Sequence, residues 1–452
     1  MQTTAKLTQG PVAATLFHLS LPMVGGLFSI FAFNLADTYF VSQLGTNELA
    51  AMSFTFPMVM VLFGLAMGLS TGTIAVVSQA IGRGDTSGVK RLVSDSLVLA
   101  FLAVLVTAAI GIATIDPLFS LLGAGPQVLP LIREYMEIWY LGIVFLVVPM
   151  VANAAIRATG DTKFPALMMV LSTAANIILD PILIFGWFGV PALGLQGAAI
   201  ATLIARAGTM AAALLILHYR DRLLDFSPPN LGQVWQSWKE VGHIALPATA
   251  TNWLQPVGLG LVTRLIATYG APAVAAWGAG SRISGIALIP VFALCSGLVP
   301  FIGQNWGAGQ FDRVKKGRSY GYLFALGWGL LLIGVLRLVA EPVAALFSQD
   351  QAVIREIVRY LWIIPFGFAM VGILNITEET LNAIGKPIFA SLQTLLHMFL
   401  FFIPLAFIGA SQWAVGGLLG GLVVADVLGG LVGLGLARWM CARGERACRA
   451  ED

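Results

Sequence analysis

Two acidic residues stand inside otherwise apolar stretches of this chain. Asp37 lies in the segment 33–40, and Asp180 lies in the segment 175–181. An ionised carboxylate is costly inside a membrane, so such residues usually face a cavity and take part in function. Asn176 precedes Asp180 by one helical turn, which places both side chains on one face of a helix. These three residues are therefore candidates for a site that binds an ion or a substrate.

Other polar residues in the same half of the chain add oxygen atoms to this site. Tyr135, Asn153 and Thr202 carry phenol, amide and hydroxyl groups. Oxygen ligands of these types suit a hard cation. Two neighbouring carboxylates also suit a proton carrier, so the coupling ion can be H⁺ or Na⁺, and no other cofactor is expected. The predicted ligands of Na⁺ are Asp37, Asn176, Asp180 and Thr202.

The chain repeats itself at a spacing of 225 residues. Two membrane-embedded halves of similar sequence are typical of transporters, which hold the substrate near the bilayer midplane. The residue that corresponds to Asp37 is Val262, and the one that corresponds to Asp180, after a two-residue shift, is Ile403. Because the second half folds without either acid, a functional role is favoured for both. Identical pairs include Pro22 and Pro247, Thr38 and Thr263, Gln79 and Gln304, Tyr135 and Tyr360, and Gly160 and Gly385.

The second half has polar residues of its own. Glu378, which corresponds to Asn153, and Gln255 form a possible second polar site. Adjacent residues of a helix point about 100° apart, so only one of Glu378 and Glu379 is expected to face a cavity. Three arginines in apolar segments can either pair with acids or extend to a membrane interface: Arg206, Arg264 and Arg337.

Composition places the whole chain in a membrane. Charged residues make up 10% of it and mean hydropathy is +0.88, whereas about a quarter of a soluble domain is charged. The predicted fold is an all-α membrane protein whose twelve transmembrane helices form two six-helix bundles related by a pseudo-twofold axis. The expected domains are an amino-terminal lobe (1–217), a cytoplasmic linker (218–240) and a carboxy-terminal lobe (241–452). Apolar segments lie near 14–41, 51–80, 94–115, 130–156, 164–187, 194–217, 240–268, 275–303, 319–340, 355–384, 388–409 and 413–438.

The distribution of basic residues orients the helices. Lys and Arg concentrate in alternate links, including the link between helices 8 and 9 and the central linker, while the links near 42–50, 188–193, 269–274 and 410–412 have none. By the positive-inside rule both termini are cytoplasmic in a multi-pass protein of the inner membrane. Six is an even number, so the two halves have the same orientation and form a parallel repeat. No basic run suggests nucleic acid, and a monomer in the lipid bilayer is expected.

Several motifs together resemble those of multidrug and toxic compound extrusion transporters. The resemblance rests on the two six-helix halves, on Leu21-Pro22 through Asp37-Thr38, on residues 79–84 with their copy at 304–309, and on residues 157–161. Within that family the chain is similar to the DinF-like prokaryotic branch, which has an acid on helix 1 and an Asn-x-x-x-Asp pair on helix 5. Asp37, Asn176 and Asp180 match that pattern. Gln255 stands where the other prokaryotic branch has an acid.

The resemblance implies antiport, in which H⁺ or Na⁺ enters while a lipophilic, often cationic, drug-like compound leaves. One alternative keeps the fold and changes the cargo to a lipid-linked sugar or a small metabolite. Another is an intramembrane enzyme, which needs clustered nucleophiles or metal ligands. The chain is not expected to be an enzyme, because its histidines are scattered along the sequence: His18, His218, His243 and His397.

Overall fold

The computed structural model describes residues 5–228 and 230–451, and within these ranges the chain is helical and contains no strand. Short 3₁₀ helices occur at Lys6–Thr8 and Trp187–Gly189, and π-helical turns occur at Ile216–Arg220 and Leu396–Phe402. The α-helices are α1 (Val12–Ser42), α2 (Thr46–Arg83), α3 (Thr86–Leu121), α4 (Leu129–Gly142), α5 (Val144–Ala158), α6 (Lys163–Phe185), α7 (Gly194–Leu215), α8 (Leu231–Ala267), α9 (Ala271–Ala287), α10 (Ile289–Gly307), α11 (Phe311–Leu338), α12 (Ala340–Phe347), α13 (Gln351–Ile363), α14 (Pro365–Ala383), α15 (Pro387–Leu395) and α16 (Ile403–Glu451).

These helices combine into about twelve membrane crossings, which confirms the predicted fold class. In the described ranges, nine helices are long and apolar enough to cross a membrane, and the bent pair α13 and α14 makes a tenth. The apolar run Pro387–Arg446 leaves helical geometry at Trp413 and Ala414, so it provides two crossings. Helix α8, with 37 residues, is also long enough to span.

The contacts of the chain divide it into two compact units. The first contains Pro22–Thr249, and the second contains Lys6–Leu21 together with the chain from Ala250 onward. The boundaries therefore fall inside α1 and α8, close to the corresponding residues Pro22 and Pro247. The polar segment 218–240 belongs to the first unit in this division, and the separation into lobes at that segment stays a prediction.

Close packing of α6 against α7 positions the polar residues of the first unit. A Cβ atom at Gly197 of α7 would collide with the backbone of Leu183 and Ile184 on α6, so glycine permits the two helices to approach closely. Thr173 of α6 donates a hydrogen bond to the carbonyl of Ser29 on α1 at 3.2 Å. Helices α1, α6 and α7 thus meet at the level of the candidate site.

Candidate functional site

Asn176 lies at the centre of a buried polar cluster in the first unit. Its Nδ2 donates to Asp180 Oδ1 at 3.2 Å and to Thr202 Oγ1 at 3.2 Å. The first bond joins residues one turn apart on α6, and the second crosses to α7. Asp180 is fully buried and Asn176 and Thr202 are nearly so, which means that these polar groups depend on one another for hydrogen bonds.

Two oxygen atoms of this cluster are buried without a hydrogen-bond donor. They are Asn176 Oδ1 and Asp180 Oδ2. A buried acceptor without a donor costs free energy, and both atoms would gain a partner if the cluster took up a cation or a proton. The donor set therefore fits the predicted ion: carboxylate, amide and hydroxyl oxygens lie together, as a hard cation requires.

Asp37 and Tyr135 extend the cluster. The Asp37 side chain is 9% exposed and Tyr135 is buried. Asp37 interacts electrostatically with Asp180, and Tyr135 interacts with both carboxylates. The structure therefore brings α1, α4, α6 and α7 together around the two acids.

Among the described residues, Arg206 is the one basic side chain near Asp37, Tyr135 and Trp139. Its position bears on whether it lies among the acids or extends to a membrane interface, which the sequence left open. It lies one helical turn after Thr202 on α7, is partly buried, and interacts electrostatically with Asp37. Its guanidinium carbon lies 5.9 Å from the centre of the Trp139 ring. A cation over an aromatic face is stabilised by the ring quadrupole, so the guanidinium of Arg206 is directed towards Trp139 within the unit. Arg337 similarly lies over Phe366, at 5.0 Å from the ring centre.

Asn153 is less closely tied to the cluster than the sequence predicts. It is partly buried on α5, and its Oδ1 is buried without a hydrogen-bond partner. Among the hydrogen bonds of the described residues, none joins Asn153 to Asn176 or Asp180.

The polar residues of the second unit form a separate group. Thr394 Oγ1 donates to Glu378 Oε2 at 3.1 Å. Gln255 is exposed and lines a small cavity with Thr394 and Met398, so both residues of the predicted second site lie next to Thr394.

Sequence reasoning missed a further member of this group. His397 Nε2 lies 3.0 Å from Asp426 Oδ1, a contact that the sequence analysis did not predict. The available signal was Asp426 itself, an acid inside the apolar segment 413–438.

Comparison with known proteins places this architecture in a family. The profile of the family described as MatE matches residues 22–182 and again residues 247–408, so the internal repeat corresponds to two copies of one family unit. The chain belongs to the MatE family of transporters. Transporters of this family are ion-coupled antiporters of small molecules in membranes, and they are not enzymes.

Individual relatives cover nearly the whole of this MatE chain. A protein of Shewanella oneidensis named FAD transporter is 38% identical over 435 residues, which are 96% of each chain. The multidrug export protein MepA of Staphylococcus aureus is 27% identical and covers 93% of this chain and 92% of its own. The crystal structure of the Vibrio cholerae MATE transporter VcmN in its bent form has a TM-score of 0.91 and 32% identity, with coverage of 96% of this chain and 98% of VcmN.

Proposed function

We propose that this protein is a secondary antiporter that exports lipophilic, often cationic compounds from the cell in exchange for H⁺ or Na⁺. The observation that carries the proposal is the buried cluster of Asp37, Asn176, Asp180 and Thr202 in the first unit. Two acids inside a membrane protein are costly, and the second half has Val262 and Ile403 at the corresponding positions, which supports a role of the acids in function.

Each residue of the cluster has a distinct role in this proposal. Asp37 and Asp180 carry the charge that the ion neutralises. Asn176 and Thr202 supply neutral oxygens, and Asn176 also orients Asp180 through their hydrogen bond. Tyr135 and Asn153 line the space beside the acids. If the ion is Na⁺, its ligands are Asp37, Asn176, Asp180 and Thr202, and if it is H⁺, the proton resides on a carboxylate.

Coupling follows when the ion and the cargo compete for the same carboxylates. Each ligand shifts the equilibrium between inward-open and outward-open states by its differential affinity for the two states. Because they compete, the ion and the cargo each weaken the binding of the other. Binding of the ion in the outward-open state therefore promotes release of the cargo outside the cell. We place the protein in the inner membrane as a monomer with both termini in the cytoplasm.

A second cargo has its own support. The relative with 38% identity over 96% of both chains carries the name FAD transporter, which favours a small-metabolite exporter over a lipid-linked sugar flippase. Flavin adenine dinucleotide is aromatic and anionic. The aromatic side chains of Tyr135 and Trp139 and the guanidinium of Arg206 provide stacking surfaces and a positive charge for such a molecule.

The coupling proposal is tested with Asp37→Asn in proteoliposomes. We expect loss of ion-gradient-driven efflux of a fluorescent cation, with normal insertion and thermal stability, because an amide can neither bind a proton nor neutralise a metal ion. Asp180→Asn should be similarly damaging, and Glu378→Gln milder. The matched control is Asp312→Asn, whose side chain is 84% exposed. Transport at the wild-type rate by Asp37→Asn would overturn the assignment.

Cargo and ion are identified in the same vesicles. Efflux of flavin adenine dinucleotide and of ethidium is measured under a pH gradient alone and then under a sodium gradient alone. Export of ethidium but not the flavin supports the drug-exporter proposal, and the reverse supports the metabolite exporter. The gradient that drives flux identifies the coupling ion.

A further inference from the structure

The second unit contains a buried pair of ionisable residues that the proposed coupling site does not use. His397 Nε2 lies 3.0 Å from Asp426 Oδ1, and the side chains are 15% and 9% exposed. His397 belongs to the π-helical turn Leu396–Phe402, and Asp426 belongs to α16. π-Helical turns within helices often mark functional positions.

The packing around the pair is built to hold it. A Cβ atom at Gly429 would collide with the imidazole ring of His397, and one at Gly367 would collide with the Asp426 carboxylate. The two glycines therefore make room for the pair: Gly429 faces the His397 ring, and Gly367 faces the Asp426 carboxylate. A buried polar pair that is enclosed in this way keeps its geometry.

Two further titratable groups adjoin the pair. Glu378 of α14 interacts electrostatically with His397, and Tyr360 of α13 interacts electrostatically with Asp426. Glu378 also accepts the hydrogen bond of Thr394, which lies one turn before His397. The imidazole thus has carboxylates from two different helices in its surroundings.

The internal repeat argues against a purely structural role. With the two-residue shift that aligns Pro181 with Pro404, His397 corresponds to Ala174. The first unit builds the equivalent helix with an apolar residue at this position. The fold therefore does not require an imidazole there, and burial of an ionisable pair in a membrane protein indicates function.

We propose that His397 and Asp426 form a second proton-binding site, in the second unit, which takes up and releases one proton in each transport cycle. Histidine is the side chain whose unperturbed pKa, about 6.5, lies in the physiological range. The proton binds the imidazole nitrogen, and the Asp426 carboxylate stabilises the imidazolium that forms. This site adds one proton to the ion exchange at Asp37 and Asp180, whichever ion the first unit uses.

The first test counts protons per cargo molecule in proteoliposomes and rests on the proposed exchange activity. His397→Gln and Asp426→Asn should each move one proton fewer per molecule than the wild type, and Asp426→Asn retains the shape of the carboxylate. The control is His243→Gln, an exposed histidine of α8, which should leave the count unchanged. An unchanged count in transporting His397→Gln protein would refute the proposal.

The second test does not need transport. The ¹⁵N resonances of the four histidines are followed against pH in detergent, and the resonance of His397 is assigned by its loss in His397→Gln. We expect the protonation state of His397 to change with pH in the wild type and to respond differently in Asp426→Asn, because the proposal makes the carboxylate the stabiliser of the imidazolium. If the His397 resonance stays in one ionisation state at every pH at which the protein is folded, the proposal is wrong, even when the variants do not transport. Full activity of Asp37→Asn would overturn the proposal of coupling at Asp37 and would not affect the proposal for His397 and Asp426.

Discussion

At the residue scale, the decisive feature is one amide that serves two acceptors. Asn176 Nδ2 bridges Asp180 of the same helix and Thr202 of α7. The direction in which the Asp180 carboxylate points therefore depends, through Asn176, on a neutral residue of another helix. The carboxylate supplies the charge, and the amide and hydroxyl fix its orientation. Removal of either neutral partner should therefore weaken ion binding without removing the charge.

Replacement of Thr202 by valine tests this orientation. Valine has nearly the same shape but no oxygen, so Asn176 loses one acceptor. The net value of such a hydrogen bond is about 1 kcal/mol, which corresponds to an affinity for the coupling ion that is roughly fivefold weaker. The half-saturating ion concentration for transport is the measurement.

Thr209→Val serves as the control for that substitution. Thr209 lies on the same helix and donates to the carbonyl of Ala205 at 3.2 Å, within its own helix. Its loss should leave the ion dependence at the wild-type value. Equal effects of the two substitutions would show that Thr202 acts through the helix and not through the site.

At the scale of helices, the positions at which α2 ends and α3 begins have clear physical causes. Helix α2 ends at Gly84, whose φ of 77° lies in the left-handed region that glycine adopts readily. Asp85 then caps α3, because its Oδ1 accepts the N–H of Gly88 at 2.8 Å. The tight link between α2 and α3 is therefore fixed by two consecutive residues.

The cap predicts a pH-dependent stability of the first turn of α3. The hydrogen bond from the Gly88 backbone lowers the pKa of Asp85 below its usual value, so the stabilisation is complete above about pH 4, the unfolded value, and is lost as the pH falls through the lower folded value. Asp85→Ala should cost about 1 kcal/mol at pH 7 and speed amide exchange at Thr86–Val89 roughly fivefold. Asp85→Asn, which keeps a capping oxygen, should cost less. Equal exchange in wild type and Asp85→Ala at pH 7 would contradict the capping role.

Within the second unit, residues 7–10 are held against α10 and α11 by several hydrogen bonds, most of them from one arginine. Arg313 of α11 donates to the carbonyls of Leu7, Gln9 and Gly10 at distances from 2.8 to 3.1 Å, and to Asn305 Oδ1 at 2.9 Å. Asn305 itself donates to the Leu7 carbonyl at 3.1 Å. The fork of the guanidinium is what allows one side chain to serve several carbonyls.

We expect Arg313→Gln to loosen this segment while leaving the rest of the second unit folded. Each hydrogen bond from a charged donor is worth about 1.5 kcal/mol or more, so amide exchange at residues 7–10 should rise at least tenfold. The exchange rate in Arg313→Lys should lie between those of the wild type and Arg313→Gln, because lysine keeps the charge but lacks the several N–H donors of the guanidinium. The control is Lys316→Gln, an exposed residue of the same helix; the same exchange in both variants would contradict the role of Arg313.

At the scale of the whole molecule, the repeat and the charge pattern predict the orientation in the membrane. In a variant without the three native cysteines, Gln43→Cys should react with an impermeant maleimide from outside the cell, and Gln310→Cys should react only from the cytoplasm. The reason is the concentration of Lys and Arg on the Gln310 side. Reaction of both cysteines from the same side would refute the predicted topology.

The sequence by itself determined the class of this molecule. Long apolar segments must be helices in a bilayer, because their backbone groups have no other partners there, and the repeat with its unmatched acids singled out Asp37 and Asp180. Only the tertiary structure showed that Asn176 bridges to Thr202 and that Arg206 interacts electrostatically with Asp37. These contacts join residues of different helices, and their geometry depends on close approaches such as that at Gly197.

The second unit shows the same limit more sharply. Glu378 stood out in the sequence because its counterpart is Asn153, whereas His397 had no local pattern that distinguished it from the other histidines. Its partner Asp426 is 29 residues away, on a helix that reaches it only after the chain reverses near Trp413. Periodicity and spacing describe what lies on one helix; which side chains of separate helices meet is decided by how those helices pack, and that packing is a property of the whole fold.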